Sequence, residues 1–161
     1  APIDGTGILV VNSEITDIEM GAGTGLYRYT VPRGSTTINE TITGSTENGT
    51  LFYTPTVNMV LNKLTKEDQN EIKLLGQTQV VIFAQLNEQL ANGHDVIVGL
   101  GVVNAMSLNA GSADSGAAFG DRNGYTLTFD GLEANPMPMV ADYTTVPFDN
   151  AAFTNVSVTT S

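Results

Sequence analysis

The chain has 161 residues, enough for one domain with a buried core. Charged residues make up only 14%, against roughly 25% in soluble domains, so polar surface must come from Thr, Asn, Ser and Gly, which favours strands and turns. Six Lys and Arg against seventeen Asp and Glu give a net charge of −11, which argues against a binder that grips phosphates and against docking on an anionic membrane; the absence of cysteine excludes disulfides and thiolate metal sites.

In chain order, Ala1-Pro2-Ile3-Asp4 carries neither the basic start nor the apolar stretch of a secretory signal. Ile8-Leu9-Val10-Val11 predicts a short buried strand, and residues 26–31 a second one, broken by Pro32-Arg33-Gly34-Ser35. Residues 36–43 are rich in β-branched side chains, with Ile38 and Ile42 on one face of a strand. Residues 44–49 form a turn cluster, and a strand resumes over 52–61. Residues 32–50 together read as a projecting hairpin or long loop, an arm able to dock on a neighbouring subunit.

The pattern predicts one helix, over 65–75. Thr65 is its N-cap, Glu67 and Asp68 sit in its first turn, and Lys73 sits near its end. Leu64, Ile72 and Leu75 form a narrow apolar face, and Gly76 stops it. Residues 78–86 form the most apolar strand, Asn92-Gly93 a turn, and 95–103 a strand with Gly99 and Gly101 marking a bend or bulge. Residues 110–120 read as a loop of small side chains. Tyr125, Leu127 and Phe129 then alternate with Thr126, Thr128 and Asp130, the pattern of a half-buried strand. Pro136 and Pro138 end the regular structure, and 141–161 is an extended tail with a last strand near 153–158. No internal repeat or linker divides the chain, which reads as a single β-rich domain over 1–161. No run of about eighteen apolar residues crosses a membrane.

Residues that could carry chemistry are sparse. His94 follows a predicted turn, and no Gly-x-Ser-x-Gly elbow surrounds any serine. Asp114-Ser115-Gly116 matches the aspartic-protease signature, but that chemistry needs two carboxylates sharing a proton. It also needs an apolar strand before the motif, where this chain has Ala110-Gly111-Ser112-Ala113. Asp114 and Asp121 bracket a Gly-rich loop, with Asp130 and Glu133 downstream, in no recognisable calcium spacing. Gly21-Ala22-Gly23-Thr24-Gly25 lacks the Gly-Lys-Ser/Thr ending of a phosphate loop and opens no helix. Asn39, Asn48 and Asn155 head glycosylation triplets of a kind that arise by chance in such a composition. No catalytic, cofactor-binding or metal-ligating residue is assigned, so the chain is read as a structural protein, not an enzyme. A secreted β-sandwich that binds carbohydrate would need an aromatic platform, and the chain has no Trp and only scattered Tyr.

Two stretches carry a resemblance: residues 48–65 (NGTLFYTPTVNMVLNKLT), a strand running toward the helix, and residues 121–140 (DRNGYTLTFDGLEANPMPMV). The Gly-Tyr-Thr-Leu-Thr-Phe strand followed by Gly-Leu-Glu and a proline segment resembles bacteriophage tail-tube (major tail) proteins or related virion structural proteins. The resemblance covers about half the chain. It implies a mainly β fold of the tail-tube type, a β-sandwich or barrel with one short flanking helix and a long hairpin arm. It implies homo-oligomers in which hexameric rings stack into a tube within the virion, assembled in the host cytoplasm with other tail proteins. Double-stranded DNA would pass through an acidic lumen without specific binding. Candidate inter-subunit contacts on this reading are Thr36, Ile38, Glu40 and Ile42 in the arm, Tyr125, Leu127 and Phe129 in the alternating strand, and Phe148 and Phe153 in the tail. A capsid decoration or head–tail connector protein is the alternative.

Overall fold

A computed structural model describes residues 7–32, 34–62, 66–118 and 120–160. In chain order the elements are β1 Ile8–Val11, β2 Glu14–Ile18, β3 Leu26–Arg28, β4 Thr37–Ser45, β5 Thr50–Asn62, α1 Lys66–Leu75, β6 Ile82–Gln89, β7 Asp95–Leu100, β8 Ser107–Asp114, β9 Gly124–Asp130, β10 Met139–Val140 and β11 Val158–Thr160. Among the described residues nearly half lie in strands, so the protein is mainly β, with several sheets and one helix. It gathers into two compact units: Ala1–Thr30 with Val81–Val103 and Pro136–Ser161, and Val31–Val80 with Asn104–Asn135. Each unit is discontinuous in sequence, which is why no linker marks the division.

In the first unit a five-stranded sheet has the order β1-β2-β10-β7-β6, and β11 pairs with β3 in a separate ribbon. β1 and β2 form a hairpin across Asn12-Ser13, both at positive φ (52° and 66°), as a two-residue turn of the right twist requires. That turn and β2 both escaped the sequence reading. β7 is buried along Val96, Ile97, Val98 and Leu100, which explains its unbroken apolar run. Gly99 has a packing reason: a Cβ there would lie 2.7 Å from Ile15 Cδ1. β2 lays Ile15 and Ile18 into the core with Met20. The tail packs into the same core, for Phe148 meets Phe83 edge-on at 5.2 Å and Phe153 at 6.4 Å.

Two expectations are corrected here. β1 is not buried: among the described residues it is an edge strand paired with β2 alone, and it leaves Leu9 55% exposed, with Val10 and Val11 also exposed. Regular structure also continues beyond Pro136 and Pro138, because β10 runs parallel to β2 and antiparallel to β7.

The second unit is built on a four-stranded sheet, β4-β5-β9-β8. The alternation in β9 works as expected: Tyr125, Leu127 and Phe129 are buried, while Thr126, Thr128 and Asp130 are half-buried. In register, Ile38, Val57, Phe129 and Leu108 form one row of the apolar face. The helix spans Lys66–Leu75; the expected N-cap Thr65 and the apolar Leu64 lie outside the described residues. Ile72 and Leu75 are half-buried and Leu74 is exposed. Gly76 donates its N–H to the Ile72 carbonyl at 2.9 Å, and Gln77 closes a tighter turn on Leu74.

Residues 110–113, expected in a loop, instead complete β8 against β9. Their small side chains suit an exposed edge strand whose Gly111 sits against Leu127. Glu133 is buried: its Oε1 accepts the Asn104 N–H at 2.9 Å, and its backbone exchanges two 2.8 Å bonds with Tyr53.

Candidate assembly surface

Strands β4 and β5 form one long hairpin. β4 and β5 pair in unbroken register from Thr37↔Asn58 to Ser45↔Thr50, whereas β9 covers β5 only from Thr56 to Asn62. Glu133 braces Tyr53. Beyond it the rows 43–45 and 50–52 have no other strand beside them among the described residues, giving roughly 10 Å of ladder plus the turn. The arm therefore comprises 37–45 and the returning 50–55, whereas the sequence reading placed it at 32–50.

The face that carries the core continues onto the arm. Ile38, Glu40, Ile42 and Gly44 share one side of β4, opposite Val57, Pro55, Tyr53 and Leu51. Toward the base this side is buried at Val57 and Pro55; toward the tip Ile42 is 63% and Leu51 56% exposed. Phe52, on the other side beside Thr43, is also exposed. Leu51 and Phe52 were missed because Phe52 was read as the start of an ordinary strand over 52–61 and Leu51 was given no element. The Asn48-Gly49 turn signal immediately before them locates the tip.

The opposite side of the sheet is mostly polar and bears the carboxylates of Asp114 and Asp130. Its rows run Thr37–Asn58–Thr128–Ala110 and Asn39–Thr56–Asp130–Ser107. Thr128 Oγ1 donates to Asn58 Oδ1 at 2.9 Å, Arg122 Nη2 to Thr126 Oγ1 at 2.8 Å, and Asn109 Nδ2 to Asp130 Oδ2 at 2.7 Å.

The candidate contact residues separate into two groups. Ile42 is on the exposed arm, and Thr36, Ile38 and Glu40 are half-buried at its base. Tyr125, Leu127 and Phe129 turn into their own unit's core, and Phe148 and Phe153 pack against Ile15, Ile18 and Met20. These five aromatic and aliphatic side chains already spend their surface within the chain. Period-2 alternation identifies an apolar face without saying what covers it.

A polar cluster that the sequence reading dismissed as a turn histidine lies in the first unit. His94 Nδ1 and Asp142 Oδ1 are 2.7 Å apart. The imidazole stacks on Tyr143 at 4.3 Å and 10°. Tyr143 Oη accepts the Asp95 N–H at 3.1 Å, and Asn92 Nδ2 donates to Asp142 Oδ2. Asp95 itself accepts from Gln85 and Gln89. The cluster clasps the segment after β10 to the β6–β7 turn. The hydrogen bond from His94 holds the Asp142 carboxyl below its ordinary value of 3.8; bonds from Asn92 and the Tyr143 N–H add to this and lost hydration opposes it.

A carboxyl depressed on folding contributes stability that is present above its unfolded value and lost as pH falls through its folded value. The clasp is therefore expected to open only below pH 3.8. Carboxyl NMR of Asp142 should titrate below 3.8 in the parent chain and move up toward 3.8 in His94→Ala. An unchanged midpoint in that variant would refute the assignment.

The loop acids are engaged in turns. Asp114 Oδ1 accepts the Gly116 N–H at 2.9 Å, with Gly116 at φ 70°. Asp121 Oδ2 accepts the N–H groups of Ala117 and Ala118, both at 2.8 Å. Among the described residues no three His, Asp or Glu are grouped to hold a metal ion. The Gly21–Gly25 segment is a turn closed by Thr24 on the Gly21 carbonyl, and Gly25 abuts Ser157 before β11. The chain matches no protein-family model, no curated protein and no solved structure.

Proposed function

We propose that the chain is a virion structural protein, a tail-tube subunit that assembles into stacked hexameric rings enclosing a channel for the genome. The observation that carries this reading is the β4–β5 arm, whose core-type face runs out into solvent at Ile42 and Leu51. An exposed apolar strand pair is an aggregation hazard in a monomer and a docking element in an assembly. The outer strands β1, β4, β6 and β8, which end their sheets among the described residues, are the edges at which further copies would pair. Closed rings satisfy such edges, and head-to-tail stacking of rings extends into a tube.

The hydroxyl- and amide-lined side of the second unit's sheet suits a surface past which DNA moves. It carries Asp130 and an Arg122 already bonded to Thr126, and the chain's net charge of −11 disfavours trapping of phosphates. Negative-stain electron microscopy of the purified protein is the test. Rings or tubes are expected. Capsid-bound knobs or trimers would favour a decoration or connector protein, and a strict monomer at high concentration would overturn the reading.

A further inference from the structure

We propose that Asn48, at the tip of the arm, is a modification site: a spontaneous deamidation site that the fold exposes while protecting the chain's other Asn-Gly pairs. The reaction needs no partner but water. The Gly49 backbone nitrogen attacks Cγ of Asn48, and Nδ2 departs as ammonia carrying the proton lost from the Gly49 amide. Water then opens the resulting succinimide at either carbonyl, leaving aspartate or isoaspartate. The sum is one carboxamide plus one water giving one carboxyl and one ammonia.

The chain has three Asn-Gly pairs, 48–49, 92–93 and 123–124, and the fold treats each differently. At the tip both residues are exposed. The Asn48 carboxamide has no hydrogen-bond partner among the described residues; only its backbone N–H is engaged, loosely, at 3.4 Å from Ser45 Oγ. The Gly49 N–H, which must act as nucleophile, donates to no backbone carbonyl among the described residues.

The other pairs are tied down. Asn92 Oδ1 accepts the His94 N–H at 3.1 Å, its Nδ2 donates to Asp142, and the Gly93 N–H is bound to the Leu90 carbonyl at 2.9 Å. Gly124 is buried as the first residue of β9, wedged against the Leu61 carbonyl and 3.0 Å from Asn62 Cα for any added Cβ. Asn123 is exposed, but Gly124 is held in register between Asn62 and Asp114, so its nitrogen approaches Asn123 only when this end of the ladder opens. Asp130-Gly131, open to the related isomerisation, is fixed by Asn109 and by the Gly131 bond to Pro55.

Modification would place a carboxylate beside Glu47 at the tip, and isoaspartate would add a methylene to the turn backbone. On the assembly reading above, both changes fall where neighbouring subunits dock. The site itself stands on the turn geometry, so failure of that reading leaves it untouched.

The test is incubation of the folded chain at mildly alkaline pH, followed by peptide mapping with mass spectrometry and an isoaspartate assay. Asn48 is expected to convert at least about tenfold faster than Asn92 or Asn123, which must first open locally. In urea the three rates are expected to fall within about threefold of one another, since the protection is lost with the fold. Asn48→Gln should abolish the isoaspartate signal from the folded chain. Equal rates in the folded chain, faster loss of Asn92 or Asn123, or the same preference persisting in urea would overturn the proposal.

Discussion

Replacing Ile42 and Leu51 together by Asp is expected to abolish assembly while leaving the fold intact. Both side chains are more than half exposed in the single chain, so charging them removes little intramolecular packing. Surface changes of this kind usually move stability by about 0.5 kcal/mol or less. In an assembly that covers the tip, the same change introduces two carboxylates where apolar surface should be buried. An apolar anchor at an interface is worth about 2 kcal/mol or more, about thirtyfold in affinity. A chain already at −11 adds repulsion between copies. Urea unfolding should therefore be nearly unchanged, while sedimentation velocity shows the shift from rings or tubes to monomer. A doubly substituted chain that assembles like its parent would sink the docking role of the arm. Phe52, on the other side of the strand, is the control: Phe52→Asp should weaken assembly less if the Ile42–Leu51 side is the one that docks.

The largest expected loss of stability from a single added methyl group is at Gly124. A Cβ there would overlap the Leu61 carbonyl oxygen and approach Asn62 Cα at 3.0 Å. Both neighbours are backbone atoms of β5, paired with β9 through Leu61↔Tyr125 and Asn62↔Gly124, so no rotamer change relieves the clash. The strands must separate at this end, which disturbs the burial of Tyr125 and the ladder that supports Leu127. Overpacking typically costs 1–3 kcal/mol; with a rigid partner, about 3 kcal/mol is expected for Gly124→Ala, read from the urea midpoint at constant slope. A loss under about 1 kcal/mol would show that the close approach is not a constraint. Gly93→Ala is the contrast, because nothing lies within 4 Å of its added Cβ. Its cost is confined to the strain of φ 86°.

Much of the local structure was legible in the residues. The alternation from Tyr125 to Asp130 and the apolar run in β7 follow directly from side-chain period and burial. The helix at Lys66–Leu75 is set by its spacing and its basic last turn. The hairpin turn before Thr50 falls inside the expected turn cluster 44–49, whose first two residues, Gly44 and Ser45, belong instead to the ladder. What failed was the step from an apolar run to a buried one. Ile8–Val11 has the composition of a core strand yet forms a sheet edge. Residues 110–113 have the composition of a loop yet pair as a strand, because β9 supplies the partner.

The candidate surface was less legible for the same reason. The sequence by itself determined that this chain is rich in strands, has one short helix and carries a hairpin near residues 32–50. Those are properties of neighbouring residues, fixed by period, turn chemistry and composition. Only the tertiary structure decided that Phe148 and Phe153 belong to a core, that Ile42 and Leu51 are uncovered, and that His94 meets Asp142 across 48 positions. Each depends on which strand lies beside which, and sheet order is set by contacts distant in sequence that no local pattern encodes.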